Sequence, residues 1–367
     1  MKINAALIAS LTLCLAGLTA VKSQHKPEPS ARSAIALPAG TDAAAAREIA
    51  RLFDAATVGE TRALLILKDG EPVFERYGAG FGADSKLISW SMAKSITGVV
   101  AGLMVADGRL SLDMPAPIPA WRRSGDPRGG ITLRHLLHMS SGLDHLEEGD
   151  PVYAADTVDM LFLGGASDMA AHAEAKPLAA TPGKSYLYSS ATSVIIADIL
   201  ARALTESTDP AIRRDALLAY MRGRLIEPTG MTSLTPEFDA TGTMIGGSIM
   251  HATARDYARF GELLRNRGMA DGRQVVSESW MRFMLTSSAA DPGYGGHLWL
   301  NRPRPEGANE ALWPGEGPAN IFGCLGHQGQ YIVVSPSQRL TIVRLGISTD
   351  AQGQALRDSI ARLMRSL

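Results

Sequence analysis

The chain has 367 residues, 46% of them hydrophobic and 20% charged, with a formal net charge of −1. This is the balance of a globular protein with room for about one large domain or two lobes. It holds no excess of basic residues and no like-charge run, so nucleic acid is not an expected partner.

Lys2 is followed by the apolar run "INAALIASLTLCLAGLTAV" and then by the polar "KSQHKPEPS". A basic start, an apolar core and small residues near Ala20 or Ser23 predict an export signal over residues 1–23. The run also has about the 20 residues that a membrane anchor needs, so a retained tether is the alternative. A periplasmic or secreted location follows in the first case, an inner-membrane tether in the second. Cys14 lies inside this run and Cys324 is alone in the remainder. Two such cysteines cannot build a zinc site, and no His-Glu-x-x-His occurs. His135 and His138 have helix-face spacing, but no acidic or cysteine ligand accompanies them. No metal or organic cofactor is expected.

Residues 24–40 read as a linker rich in Pro, Ser and Ala. Helical periodicity then covers 42–56, with Ile49, Leu52 and Phe53 on one stripe. "RALLILKDGEPVFERYG" (62–78) predicts a hairpin turning at Asp69-Gly70. A helix apolar on all sides follows at 90–108 and is expected to be buried. Between 111 and 235, Pro-rich loops alternate with helices at 131–142, 190–204 and 215–228. Thr132 is expected to cap the first of these and Gly142 to end it. An amphipathic helix at 253–268, a strand at 296–303, a second hairpin at 330–346 and a helix at 352–367 complete the chain.

A hairpin near each end with helices between them predicts an α+β fold. The antiparallel sheet would be built from both chain ends and flanked by helices. Residues 41–110 and 236–367 would form this discontinuous lobe, and 111–235 an inserted, mostly helical one.

"WSMAKSITG" (90–98) places Ser91 three residues before Lys94 at the start of the apolar helix. Residues three apart share a helix face, so hydroxyl and amine can enter one cleft. A lysine whose pKa is lowered by burial can act as the base that a serine nucleophile requires. The helix N-terminus would also aim N–H groups at an oxyanion. The plainer alternative is a capping serine and a solvated lysine. The same spacing recurs at Ser23 and Lys26, in a stretch of turn-formers where no active site is plausible.

Two more stretches bear on this choice. "PGKSYLYSSATSV" puts Tyr188, Ser189 and Ser190 just before a helix, where Tyr188 could relay a proton. A core aromatic and a helix cap are the alternatives there. "GCLGHQGQYIVV" sets His327-Gln328-Gly329 at the mouth of a strand. Gly329 would let backbone approach a ligand, and the N–H of Gln330 could pair with that of Ser91 as an oxyanion hole.

In this order, the three stretches resemble the serine hydrolases related to class C β-lactamases and penicillin-binding proteins. The stretches "DMLFLGG", "PLAATPGKSYLYSS" and "GQYIVVSPSQRLTIVRLG" are similar to the branch holding 6-aminohexanoate-dimer hydrolases and related esterases. The resemblance runs from about residue 60 to the end and implies a β-lactamase/transpeptidase-like fold. It implies Ser91 as acyl nucleophile, Lys94 and Tyr188 as the proton-handling pair, and an oxyanion hole from the backbone of Ser91 and Gln330. Ser190, His327 and Gly329 would meet a small ester or amide substrate.

Two departures point away from β-lactams. Ser190 replaces the asparagine usual in true β-lactamases, and His327 stands where those enzymes mostly carry lysine. The aminohexanoate-dimer enzymes also carry a tyrosine in the loop after "SSG". Here that loop reads "DHLEEGDPVY", with Gly149 near the expected place and Tyr153 farther on. Its charges, Asp144, Glu147, Glu148 and Asp150, read as a solvated face or as a cleft lining that would attract a cation. A β-lactamase or D-amino-acid peptidase is the rival within hydrolases. A penicillin-binding-like domain that recognises a ligand without turnover is the rival outside them. A Ser-His-Asp hydrolase would offer a Gly-x-Ser-x-Gly elbow, which is missing.

Overall fold

A computed structural model describes residues 35, 36 and 42–367. The predicted export segment, Cys14, Ser23 and almost all of the linker lie outside the described residues. Among the described residues, no helix is long and apolar enough to cross a membrane.

Six antiparallel strands form the central sheet: β1 (Glu60–Lys68), β2 (Glu71–Tyr77), β3 (Trp299–Leu300), β4 (Phe322–Gly326), β5 (Gln330–Ser335) and β6 (Leu340–Ile347). Their order across the sheet is β2-β1-β6-β5-β4-β3, so the two ends of the chain meet at the β1–β6 pairing. Leu65 lies opposite Val343 and Ile66 opposite Ile342. The β1–β2 turn falls at Asp69-Gly70, both at positive φ (57° and 90°), as the tightest hairpins require.

Both faces of the sheet are buried, and the alternation of β1 sorts its side chains between them. Leu64 and Ile66 join a cluster with Ile49, Leu52, Leu356 and Ile360. Ile49 and the C-cap Leu52 belong to the terminal helix α1 (Ala43–Arg51), and Leu356 and Ile360 to α4 (Asp350–Arg365). Ala63, Leu65 and Leu67 face the larger core, which includes α2 (Met92–Ala106). Every residue of α2 from Met92 to Met104 is buried. The indole of Trp280 covers Gly102 so closely that a Cβ there would stand 2.2 Å from the ring, and its N–H donates to the Gly98 carbonyl at 3.0 Å. A side chain larger than hydrogen at Gly102 would displace that ring.

Several elements differ from expectation. The first helix stops at Leu52, because Asp54 caps a separate turn at Ala55–Val58. The helix at 131–142 is only Leu133–Leu137, capped reciprocally by Thr132 and His135. Gly142 does not end it: Gly142 lies in the next loop, where a Cβ would come within 2.1 Å of the Ala180 carbonyl oxygen. The helix expected at 215–228 starts earlier, at Pro210, since Asp209 caps it and proline suits the first turn. The strand at 296–303 shrinks to Trp299–Leu300, and β4 had no counterpart in the periodicity.

A second, three-stranded sheet pairs Leu87–Ile88 with Met250–Ala252 and Thr235–Pro236. It fixes the segment leading into α2, with the Ser89 N–H donating to the Met250 carbonyl at 2.8 Å.

Candidate active site

Three parts of the chain converge at the start of α2. Trp90 turns the backbone through a positive φ of 42°, unusual for a bulky residue, and delivers Ser91 to the helix N-terminus. Ser91 makes no side-chain cap bond, so its hydroxyl is not spent on the helix.

Lys94, one turn later, is 1% exposed. Its Nζ lies 2.8 Å from Ser91 Oγ, 2.8 Å from Ser190 Oγ and 2.8 Å from the Gly247 carbonyl oxygen. The same amine stands 4.7 Å from the centre of the Tyr188 ring. Burial brings the lysine down to about 8, while the nearby Glu147 carboxylate acts in the opposite direction. The solvated lysine of the plainer reading is therefore not what the fold holds.

Tyr188 is half-buried, stacked on Trp299 at 5.3 Å and edge-on to Tyr294 at 6.0 Å. Burial, and then the charge of Glu147, hold its phenol well above the ordinary tyrosine range, with the Ser91 hydroxyl pulling the other way. It is a neutral phenol near neutral pH.

Ser190 does not cap its helix, α3 (Ser190–Leu204). That task falls to Ser189, whose Oγ accepts from the Thr192 N–H and is itself held 3.0 Å from His145 Nδ1. The Ser190 side chain is thereby free for the cluster around Lys94. Glu147 completes that cluster, accepting from the Ser190 N–H, the Ser190 hydroxyl and the Thr157 hydroxyl, each at 2.6 Å. Asp144, Glu148 and Asp150 are exposed, so the loop's charges divide: one enters the cluster and three face solvent.

The glycine-rich turn after β4 is placed differently from its expected use. Gln330 sits in the sheet ladder opposite Gly326. Its side-chain amide donates to the Gly346 carbonyl at 2.7 Å and to the His327 carbonyl at 3.0 Å. Gly329 faces the reverse side, where a Cβ would meet Leu356 Cδ2 at 2.5 Å and an Arg344 nitrogen at 2.7 Å. Its glycine is needed for packing, at φ +81°, and not for ligand approach. The residues that lie against the segment leading to Ser91 are Gly326, where a Cβ would stand 2.4 Å from the Ser89 carbonyl oxygen, and His327, whose exposed ring is edge-on to Trp90 at 5.5 Å. Among the described residues, neither the Ser91 N–H nor the His327 N–H has a hydrogen-bond acceptor.

Gly149 offers no place for a substituted side chain, because a Cβ there would stand 2.6 Å from the Ala155 nitrogen. Tyr153 is 67% exposed. His135 is used in the helix cap, and His138 stacks on Phe283 at 4.9 Å.

A profile of the Beta-lactamase family matches residues 49–364. The chain belongs to that family. It is 26% identical to the 6-aminohexanoate-dimer hydrolase of Paenarthrobacter ureafaciens, over 78% of this chain and 72% of that protein. Among solved structures it is similar to a Bacillus anthracis protein described as a candidate 6-aminohexanoate-dimer hydrolase (21% identity, TM-score 0.66, covering 87% of this chain and 82% of that one). It is also similar to a family VIII carboxylesterase (15% identity, TM-score 0.62, covering 90% and 99%). At such identities these two structures share the fold.

Sequence reasoning missed Gly247 and Gly326, and named Glu147 only as one of four loop charges without singling it out. Glu147 and Ser190 are 43 residues apart and no local pattern joins them. Gly247 contributes a carbonyl, which any residue type carries. Gly326 is the one with a readable signal, since it lies inside the same glycine-rich motif as Gly329.

Proposed function

We propose that this protein is an exported serine hydrolase that cleaves an ester or amide through an acyl-enzyme on Ser91. One observation carries the reading: the buried Lys94 amine, brought down to about 8, lies 2.8 Å from the Ser91 hydroxyl. An amine with that titration is partly neutral near neutral pH and can take the serine proton.

In this mechanism Ser91 attacks the substrate carbonyl as Lys94 takes its proton. The N–H groups of Ser91 and His327, both without acceptors among the described residues, receive the oxyanion. Tyr188, a neutral phenol above the amine, donates to the leaving alcohol or amine and is reprotonated by Lys94. Water then attacks the acyl-enzyme, its proton returning along the same pair. Developed charge is met by backbone dipoles in a site walled by Trp90, Trp299 and Tyr294.

The substrate reading leans to esters and to amides other than the aminohexanoate dimer. The relative from Paenarthrobacter ureafaciens makes an amide plausible in chemistry. The packed Gly149 and outward Tyr153 supply no tyrosine at the expected place in the loop. With Gly326 in the place expected of Gly329, the position two residues before it is the buried Cys324, which brings no cation for an anionic substrate such as a β-lactam. Export rests on the basic-apolar-small order of residues 1–23.

Incubation with a fluorophosphonate and, separately, with a penicillin, followed by peptide mass spectrometry, tests this. A Ser91 adduct from the phosphonate and none from penicillin is expected. No adduct on Ser91 with either reagent would sink the reading. Sequencing the N-terminus of protein recovered from the periplasmic fraction tests export; an intact Met1 in the cytoplasmic fraction alone would overturn it.

A further inference from the structure

Resting on the serine-hydrolase reading above, we infer that Glu147 is a positioning residue that sets the direction of the hydrogen bonds from Ser190 through Lys94 to Ser91, so that the lone pair of the neutral amine faces the nucleophile.

The argument is an accounting of hydrogens. An ionised carboxylate can only accept, and so can a backbone carbonyl. The Ser190 hydroxyl has one hydrogen, and Glu147 Oε1 takes it at 2.6 Å. Ser190 Oγ can then meet Lys94 only as an acceptor. Gly247 meets it as an acceptor too. A neutral amine carries two hydrogens and one lone pair. With both hydrogens committed to Ser190 and Gly247, the lone pair is left on the third contact, Ser91 Oγ at 2.8 Å. After proton transfer the ammonium has three hydrogens for the same three oxygens, and nothing in the cluster has to turn. The base is oriented before the reaction and satisfied after it.

Glu147 is itself held for this task. Its second oxygen takes the Ser190 N–H and the Thr157 hydroxyl, both at 2.6 Å, which pins the carboxylate to the N-terminus of α3. His297, fully buried, is pushed down to about 3 and is neutral. The Cys324 thiol is pushed up to about 12 by burial, and Tyr188 and Tyr294 are raised by burial as well. Among the described residues, Glu147 supplies the charge that acts on Lys94.

The test uses the full chain, a short-chain p-nitrophenyl ester and the fluorophosphonate. In Glu147→Gln the amide keeps an acceptor for the Ser190 N–H but offers an N–H to the Ser190 hydroxyl. Ser190 must then turn its hydrogen onto Lys94, which costs the lone pair that Ser91 needs. Expected is a fall in kcat/KM on the order of 10²-fold, the scale of a lost general base. The acid limb of the kcat/KM–pH profile moves to lower pH, because the lysine loses a neighbouring negative charge. A merely structural role would not move that limb. Ser190→Ala breaks the same link, so adding Glu147→Gln to it should change the rate by less than about twofold. Glu147→Gln rates within about threefold of wild type, with the acid limb unmoved, would overturn the proposal. If Glu147→Gln does not fold, Ser190→Ala decides alone: a rate within about threefold of wild type overturns it equally. Absence of a Ser91 phosphonate adduct in the wild type removes the hydrolase reading itself. An adduct together with unaltered variant kinetics removes only the role of Glu147.

Discussion

Gly247 joins the two halves of the site by its backbone alone. Its carbonyl accepts from Lys94 Nζ at 2.8 Å, and a Cβ at this position would stand 2.5 Å from the Ser190 carbonyl oxygen. The absence of a side chain lets the loop before Met250–Ala252 approach α2 and α3 together. Gly247→Ala is expected to separate them, costing about 1–3 kcal/mol by overpacking. Ester hydrolysis should fall further than this loss of stability explains. Urea unfolding alongside kinetics checks this; full activity with lowered stability would count against a backbone role in the site.

The Lys94 amine must be neutral to accept the Ser91 proton, so kcat/KM should rise with pH and level off above about 8. The same burial makes a sign prediction for stability. With the folded-state value at about 8 and the ordinary value at 10.5, the unfolded chain binds the extra proton between those limits. Stability from this group therefore rises with pH across that window. Lys94→Met should be inactive yet melt above wild type near neutral pH, the gap narrowing as pH climbs toward 10.5. Paired melting and pH–rate measurements test both halves.

Gly326→Ala places a methyl 2.4 Å from the Ser89 carbonyl oxygen. The β4 end and the His327 turn would move off the segment leading to Ser91, taking the proposed oxyanion donor with them. Loss of such a donor costs about 10²–10³-fold in kcat. Phosphonate labelling of Ser91 and steady-state kinetics of the variant read this directly. A kcat near wild type would place the second donor elsewhere.

Away from the site, Glu174 is buried on the short helix Met169–Glu174 that packs against α3. Burial, and then the neighbouring Asp198 carboxylate, raise it to about 8. Asp198 itself is paired with Arg202 and Arg213. A carboxyl whose folded value lies above its unfolded one binds more protons when folded. Its contribution is fully present below the unfolded value near 4.5 and is lost as pH rises through about 8. Glu174→Gln should flatten the fall in melting temperature over that range. An unchanged slope would show that Glu174 is ionised throughout.

Much of this was readable from residue order. The burial of α2 from Met92 to Met104 followed from apolar residues on every side, and the Asp69-Gly70 hairpin from a turn pair that only a few conformations suit. Short elements were less legible. β4 holds two glycines in five residues (FGCLG), so it carries no alternation of its own. The helix after Thr132 ended early because Met139 takes a positive φ of 52° in its tertiary setting, which no local composition announces.

By itself, the sequence determined the α+β architecture and which serine and lysine lie one helical turn apart. Those are consequences of period and spacing, which act over a few residues. The tertiary structure alone decided which of the four loop carboxylates joins Ser190 in the cluster, and that Gly326 rather than Gly329 lies against the segment leading to Ser91. Both depend on groups far apart in the chain meeting in space, as the Glu147–Ser190 separation of 43 positions illustrates. Hydrogen bonding and desolvation are short-ranged in space, not in sequence, and the direction of the Lys94 bonds is set only where the chain closes on itself.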